Sequence, residues 1–286
     1  MKRIFAALLS VAVLLFSLVG VGCQKADGYD PLFQIYFLDV GQGDAALVRT
    51  GQGDILIDSG TEASEETLCL RLEQLGIESL LLVVLTHADE DHMGGADGVL
   101  SRFPTSEVWV GNDTVESEAE ERMYAVAAET NAEMRTVGAG EVCAYGDVTL
   151  SVLYPISSEN TEGNEGSIVL KIACGEIDLL LTGDAGVEQE GFLVERYGKE
   201  QLACDLYKVG HHGSNTSSSA AFLAAIQPQY AVISCGAGNS YGHPTGEVIS
   251  RLESVGAEVL RTDLLGEIVF ESDGETLVFA SAKRRN

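Results

Sequence analysis

The sequence predicts an α/β fold in which two β-sheets pack face to face with helices on both outer surfaces, an αββα sandwich. Three observations point to it. From Phe33 to Asp58 the chain reads as a β-meander. Strand-like and helix-like segments then alternate, and a second set of hairpins and helices follows in loosely similar order. No proline- or glycine-rich linker divides the two sets. Helices alternating with strands cover sheet faces, and two half-covered sheets bury most surface by facing each other.

Taken in order, Phe33 to Leu38 alternates and predicts the first strand. Asp39 to Asp44 is a glycine-rich turn and Ala45 to Arg49 a second strand. Gly51-Gln52-Gly53 is a hairpin signal, with Asp54 to Asp58 returning. Ser64 to Leu75 predicts a helix with Leu68, Leu70, Leu72 and Leu75 on its apolar face and Gly76 as its stop. Leu80 to Leu85 reads as a buried strand, Gly95 to Phe103 as a short helix and Glu107 to Val110 as a strand. Glu116 to Thr130 is a helix with an acidic exposed face, and Asp147 to Leu153 alternates as a strand. Glu159 to Gly166 is a polar loop. Ser167 to Ala173 and Ile177 to Leu181 form a hairpin about Gly175-Glu176. Val187 to Tyr197 is a helix closed by Gly198. Asp205 to Val209 is a strand, Ala220 to Ile226 a helix, Tyr230 to Ser234 a strand, and Gly246 to Val255 a helix. Three short strands near 257–261, 266–270 and 276–280 finish the chain.

The 286 residues carry 44 acidic against 17 basic side chains, a formal charge of −27. That balance excludes a broad basic surface for nucleic acid. It leaves a nucleic-acid substrate open, because bound divalent ions can carry the local positive charge. A hydrophobic content of 45% is ample for a core and excludes a disordered chain.

Residues 1–22 read as a signal peptide, with Lys2-Arg3 before the apolar stretch Ile4 to Val19. Gly20-Val21-Gly22-Cys23 resembles a bacterial lipoprotein cleavage box, which makes Cys23 the lipidated residue and 23–31 the anchor and linker. An uncleaved membrane anchor is the alternative. Either reading places the main domain, 32–286, outside the cytoplasmic membrane, held there as a lipoprotein or secreted. Of the remaining cysteines, Cys69, Cys174 and Cys235 sit in apolar segments and are expected as buried free thiols.

Chemistry concentrates in Thr86-His87-Ala88-Asp89-Glu90-Asp91-His92-Met93-Gly94-Gly95. Four potential metal ligands arrive within six residues, directly after a buried strand. Imidazole and carboxylate oxygen at this density suit Zn²⁺ or Mn²⁺. On a loop they can converge, and the two glycines let the backbone turn away. The chain has five histidines, and the other three, His211, His212 and His243, also lie in short polar loops that follow apolar runs. A composite site built from loops at one edge of the scaffold is expected.

His87-Ala88-Asp89-Glu90-Asp91-His92 resembles the signature of the metallo-β-lactamase superfamily, with Asp89 where a second histidine usually stands. Phe37 to Asp44, Ile57 to Gly60, Leu181 to Asp184 and Lys208 to Ser214 narrow the resemblance to the C-terminal hydrolase domain of the ComEC-type competence proteins of DNA uptake. It covers roughly 32–282 in order. Those proteins also carry a many-helix membrane channel, so a stand-alone lipid-anchored form is expected here.

The resemblance implies the metallo-β-lactamase type of αββα sandwich and two divalent metal ions. His87 and Asp89 would hold the first, Asp91 and His92 the second, and Asp184 would bridge them. As a plain sequence feature Asp184 could equally cap a helix. One of His211 and His212 would complete the second site while the other faces substrate. The superfamily's further histidine has no counterpart between His92 and Asp184, and Asn164 is the nearest polar candidate. His243 is a phosphate contact, a proton donor or a turn residue. Lys208 would pair with an anionic substrate or with a nearby carboxylate, and Ser214 would donate to a phosphate oxygen. Asp39, Asp44 and Asp58 are expected to brace loops. Catalysis would rest on Asp91, Asp184 and His243, through a water activated at near-neutral pH. The implied activity is a phosphodiesterase or nuclease on DNA or smaller phosphoesters. A lactone, β-lactam or other ester hydrolase is the alternative, followed by a non-catalytic surface binding protein. No protein partner is implied.

Overall fold

The computed structural model describes residues 31–112, 117–156 and 163–283. The predicted signal peptide and anchor lie outside them, as do the predicted helix start at Glu116 and part of the polar loop after Ser158. Pro31–Asn286 cluster as one unit.

The first half runs β1 (Phe33–Phe37), β2 (Ala46–Thr50), β3 (Gly53–Ile57), α1 (Glu65–Gln74), β4 (Leu80–Leu85), α2 (Glu90–Met93), α3 (Ala96–Arg102), β5 (Thr105–Val110), α4 (Glu118–Thr130) and β6 (Glu133–Thr136). The second runs β7 (Val142–Tyr145), β8 (Val148–Tyr154), β9 (Val169–Cys174), β10 (Ile177–Leu181), α5 (Val187–Leu202), β11 (Leu206–Lys208), α6 (Ala220–Ile226), β12 (Tyr230–Ile233), α7 (Gly246–Ser254) and β13 (Glu258–Arg261). It closes with α8 (Thr262–Leu265), β14 (Glu267–Ser272) and β15 (Leu277–Lys283). One sheet has the order β15-β14-β1-β2-β3-β4-β5-β6, the other β13-β12-β11-β10-β9-β8-β7. The last two strands therefore return to the first sheet.

Three apolar layers fill this frame, as the αββα reading requires. Between the sheets, Ile35, Ile55 and Val84 of one meet Leu150, Leu170 and Leu179 of the other. Alternate residues of the same strands, Tyr36, Leu56 and Val83, turn outward under Leu68, Val99 and Met123 of α1, α3 and α4. Leu180, Tyr207 and Ala231 likewise turn outward under Leu193, Phe222 and Val248. Strands buried on both faces read as continuous apolar runs, which is why Leu80 to Leu85 showed no alternation.

Most predicted elements stand within a residue or two of their expected ends. The short helix α2 was not expected: Asp91 and His92 sit on one helical turn rather than on a loop. The half-exposed edge strands β6 and β7 were also missed, because neither carries a full apolar stripe. Gly198 does interrupt α5, at φ 63°, but a last turn continues to Leu202. Cys69, Cys174 and Cys235 are free and buried.

The parallel strands decide where the site lies. In the first sheet β3, β4 and β5 run parallel, and in the second β10, β11 and β12 do. Their carboxyl ends deliver Asp58, Thr86 and His87 from one sheet, and Thr182, Val209 and Ser234 from the other. The Ile168 amide donates to the Thr86 carbonyl at 2.8 Å and ties the two sheet edges together there.

Candidate metal centre

The central loop is held before it does anything. Asp58, just past β3, adopts φ 59° and accepts from the Thr86 amide at 2.7 Å and the Thr86 hydroxyl at 2.9 Å. Its Oδ2 also meets His92 Nδ1 at 2.8 Å. The Asp44 amide donates to the Asp91 carbonyl at 3.0 Å, an approach that only Gly43 permits: a Cβ there would fall 2.5 Å from that oxygen. Gly94 and Gly95 have ordinary negative φ. Their need is space rather than a special turn, since a Cβ on Gly95 would meet the Ser59 carbonyl oxygen at 2.6 Å.

With Nδ1 engaged, the Nε2 edge of each buried histidine points forward. His92 Nε2 lies 3.2 Å from Asp184 Oδ1. His212 Nδ1 donates to the Ser234 carbonyl at 3.0 Å, leaving Nε2 at 3.1 Å from Asp91 Oδ2 and 3.7 Å from Asp184 Oδ2. His87 Nδ1 faces the Thr86 and Ser167 hydroxyls at 3.2 and 3.4 Å, and its Nε2 lies 3.7 Å from Asp89 Oδ2. Asp184 is centrally placed, and His87, His92 and Asp184 bring ligand atoms within 4.8 Å of one another.

These residues fit divalent ions. His87 Nε2, His92 Nε2, His212 Nε2 and Asp184 Oδ1 are all buried without a hydrogen-bond partner. Buried polar atoms are rarely left so, and those of His87, His92 and Asp184, grouped together with His212 Nε2 close to Asp184, call for a ligand. A tetrahedral ion with bonds of about 2.0–2.2 Å keeps its ligand atoms roughly 3.3–3.6 Å apart, and the carboxylate–imidazole separations here bracket that spacing at 3.1–3.7 Å.

The electrostatics point the same way. Burial opposes ionisation of Asp184, but His92 and His212 outweigh it and hold the carboxyl well below its usual range. Burial likewise opposes charge on the two imidazoles. The Asp184, Asp58 and Asp44 carboxylates overcome it at His92, raising its pKa well above the ordinary value. Asp184 and Asp44 push His212 up to about 10. The cluster demands positive charge, which protons or metal ions can supply.

Asp44, His92 and His212 form a second trio of close ligand atoms. Here the carboxylate faces the Nδ1 edges, at 3.8 and 3.4 Å, which Asp58 and the Ser234 carbonyl already occupy. The Lys208 ammonium pairs with Asp44 and provides this trio's cation.

Of the two expected partners of Lys208, an anionic substrate or a nearby carboxylate, the structure shows the carboxylate. The lysine side chain is 4% exposed and faces the interior, because the last residue of β11 points between the sheets. Ser214 is corrected: it is buried, and its hydroxyl meets Thr216 Oγ1 at 2.9 Å. Thr216 Oγ1 in turn meets His211 Nδ1 at 3.1 Å, so Ser214 steadies the histidine loop. Asn164 lies in a turn whose Gly163 abuts Asp89, but it does not line the cleft. Ser167, just beyond it, touches His87 and accepts from the Asp184 amide at 3.0 Å. No motif spacing marks that serine in the sequence.

The open cleft is lined by Gln42, Asp89, Asp91, Asp184, His211, His212, Tyr241 and His243. His211 and His212 both have positive φ, 48° and 51°, and their side chains diverge. His212 goes inward; His211 stays partly exposed, with Nε2 at 3.6 Å from Asp184 Oδ2. His243 stands at the rim, its ring centroid 5.6 Å from that of His211. Burial lowers the pKa of both His211 and His243.

The model of the metallo-beta-lactamase superfamily matches residues 38–237. The chain belongs to this superfamily. It is a metal-dependent hydrolase of that family, and the histidine and aspartate cluster could hold its divalent ions. Among curated proteins it is similar to the competence protein ComA of Neisseria gonorrhoeae, 37% identical over 81% of this chain and 31% of the relative. ComE operon protein 3 of Bacillus subtilis is 30% identical over 87% of this chain and 33% of the relative. Both are ComEC-type competence proteins, and the chain spans about a third of their length. Among solved structures, the fold resembles YhfI, a metallo-beta-lactamase fold protein from Bacillus subtilis. That likeness has a TM-score of 0.53 at 11% identity and covers 84% of this chain and 99% of that one. CmlA, a diiron beta-hydroxylase from Streptomyces venezuelae, gives 0.56 at 12% identity, covering 85% and 55%.

Proposed function

We propose that this metallo-β-lactamase hydrolase is an extracytoplasmic phosphodiesterase acting on DNA or smaller phosphoesters. His87, Asp89 and Asp184 would hold one ion and Asp91, His92, His212 and Asp184 a second. The observation that carries this is the grouping of the buried His87, His92 and Asp184, whose ligand atoms lie within 4.8 Å of one another, directly behind a cleft lined by Asp89, Asp91, Asp184 and His212. Similarity to competence proteins supports a nucleic-acid or phosphoester substrate. The three carboxylates suit Mn²⁺ as well as Zn²⁺.

Bound there, the ions supply a water nucleophile near neutral pH and neutralise charge on the ester oxygens. The chain's own groups do the rest. Asp58 and the Ser234 carbonyl hold the imidazoles with Nε2 forward. Asp91, part-exposed on the cleft wall, would accept a proton from the attacking water. His211 meets a phosphate oxygen rather than an ion, and His243 at the rim gives a proton to the leaving oxygen. The N-terminal segment, with Cys23 as lipid-bearing residue, tethers the enzyme to the outer side of a bacterial membrane.

The test is metal content and activity of the purified chain after chelation, with Mn²⁺ or Zn²⁺ restored singly. Single-stranded DNA and bis(p-nitrophenyl) phosphate are the substrates. Metal-restored cleavage of both is expected. Bound metal with cleavage of neither would replace this reading by lactone or ester hydrolysis. A chain that binds no metal would leave a surface binding protein. Tethering is tested by Cys23→Ser, which is expected to abolish acylation.

A further inference from the structure

A row of rings steps outward from the ligand cluster to solvent. Centroids of His92 and His212 are 5.2 Å apart, His212 and His211 6.2 Å, His211 and His243 5.6 Å, and His243 and Tyr241 5.8 Å. The row begins fully buried and ends at Tyr241, which is 68% exposed. An exposed tyrosine is unremarkable on a surface, but this one lines the cleft and is held in place. Asn239 Oδ1 accepts from the Tyr241 amide at 3.2 Å and the His243 amide at 3.1 Å. Asn239 Nδ2 donates to the Gly236 carbonyl at 3.0 Å and the His243 carbonyl at 2.6 Å. One amide side chain thus closes the loop upon itself. The Tyr241 ring lies 23° from parallel with His243, which backs it from one side.

We propose that Tyr241 is a stacking platform for a nucleobase of the substrate, whose phosphate lies at the ligand cluster. This deepens the phosphodiesterase reading and rests on it. The substrate class is then a single-stranded nucleic acid or a nucleotide diester, since a base paired in a duplex cannot offer its face. Two ring steps separate Tyr241 from His211, a span within reach of one nucleotide. The cleft supplies a reason for such a platform: among the described residues its lining holds neither lysine nor arginine. The chain's charge of −27 repels long polyanions. Affinity must come from the ions and from an uncharged contact. Base–aromatic stacking is one that tolerates any sequence, because every base has a π-face.

The experiment compares ligands that differ only in the base. The full chain, supplied with Mn²⁺ or Zn²⁺, is titrated calorimetrically with thymidine 5′-monophosphate and with methyl phosphate, neither of which has a diester bond to lose. The nucleotide is expected to bind about tenfold more tightly, the size of one stacking contact. Tyr241→Ala removes that gap and Tyr241→Phe keeps it. In turnover, thymidine 5′-(p-nitrophenyl phosphate) and methyl p-nitrophenyl phosphate share a leaving group. Tyr241→Ala is expected to lower kcat/KM on the first about tenfold more than on the second, through KM. A wild type without the gap, or a gap that survives Tyr241→Ala, overturns the platform. If neither diester is cleaved while the gap is present and Tyr241→Ala removes it, the phosphodiesterase reading falls and the platform stands.

Discussion

Asp58 Oδ2 lies 2.8 Å from His92 Nδ1, and the same carboxylate holds both the amide and the hydroxyl of Thr86. One buried side chain therefore sets the exit of β4 and aims the imidazole that follows it six residues later. A carboxylate behind a ligating histidine fixes the tautomer and raises ligand basicity. Asp58→Asn is expected to weaken metal binding by about 10–100-fold, since such supporting contacts carry that much. Competition with a chelator of known affinity measures it; unchanged affinity would remove Asp58 from the site.

Asp184 is placed to touch both halves of the cluster, with Oδ1 toward His92 and Oδ2 toward His211 and His212. Asp184→Asn is expected to cut turnover by about 10²-fold or more, the scale of removing a metal ligand's transition-state contribution. Circular dichroism should be unchanged. Wild-type turnover in the variant would sink the assignment.

Lys208 and Asp44 form a buried ion pair. Lys208→Met leaves a buried carboxylate without its cation and is expected to cost about 3–5 kcal/mol of stability. Adding Asp44→Asn should recover much of it. Chemical denaturation of the two variants decides: a double variant no more stable than the single one would show that the pair does not act as a unit.

His211 has φ 48° and ψ 47°, a conformation that costs a side chain roughly 1–2 kcal/mol. Glycine adopts it freely. His211→Gly, measured in chelator, is expected to raise Tm by about 2–4 °C while lowering turnover on phosphodiesters. A lower Tm would mean that the histidine contacts outweigh the backbone strain.

Glu190 is buried and accepts from the Ser218 and Ser219 amides, the latter at 2.8 Å. Burial raises its pKa despite those bonds. A folded pKa above the unfolded one gives stability that is fully present below about pH 4.3 and is lost as pH rises through the folded value. Glu190→Gln removes this loss. Urea unfolding from pH 4 to 7 should show the wild type falling relative to the variant; parallel curves would contradict the shift.

The three apolar layers were legible because each strand declares its faces. Alternation marked Phe33 to Leu38, and the continuous run Leu80 to Leu85 marked a strand covered on both sides. The histidines were legible by position, each following an apolar run, and so was the need for the first-turn carboxylates as braces. The edge strands β6 and β7 were not, since a strand with one neighbour and half-exposed side chains has no pattern to show.

What the sequence determined by itself was the layer architecture, the superfamily resemblance and the set of ligand types, all properties of local pattern. Only the tertiary structure decided their partners. It turned His212 inward onto the Ser234 carbonyl and left His211 at the cleft, a choice that adjacent residues cannot reveal. It paired Lys208 with Asp44, which lie 164 positions apart, because β11 and the first turn meet only when the sheets close. It carried Tyr241 to the rim beside the cluster. Those outcomes depend on which carboxyl ends of parallel strands come together, and that is fixed by packing two sheets rather than by any one stretch of chain.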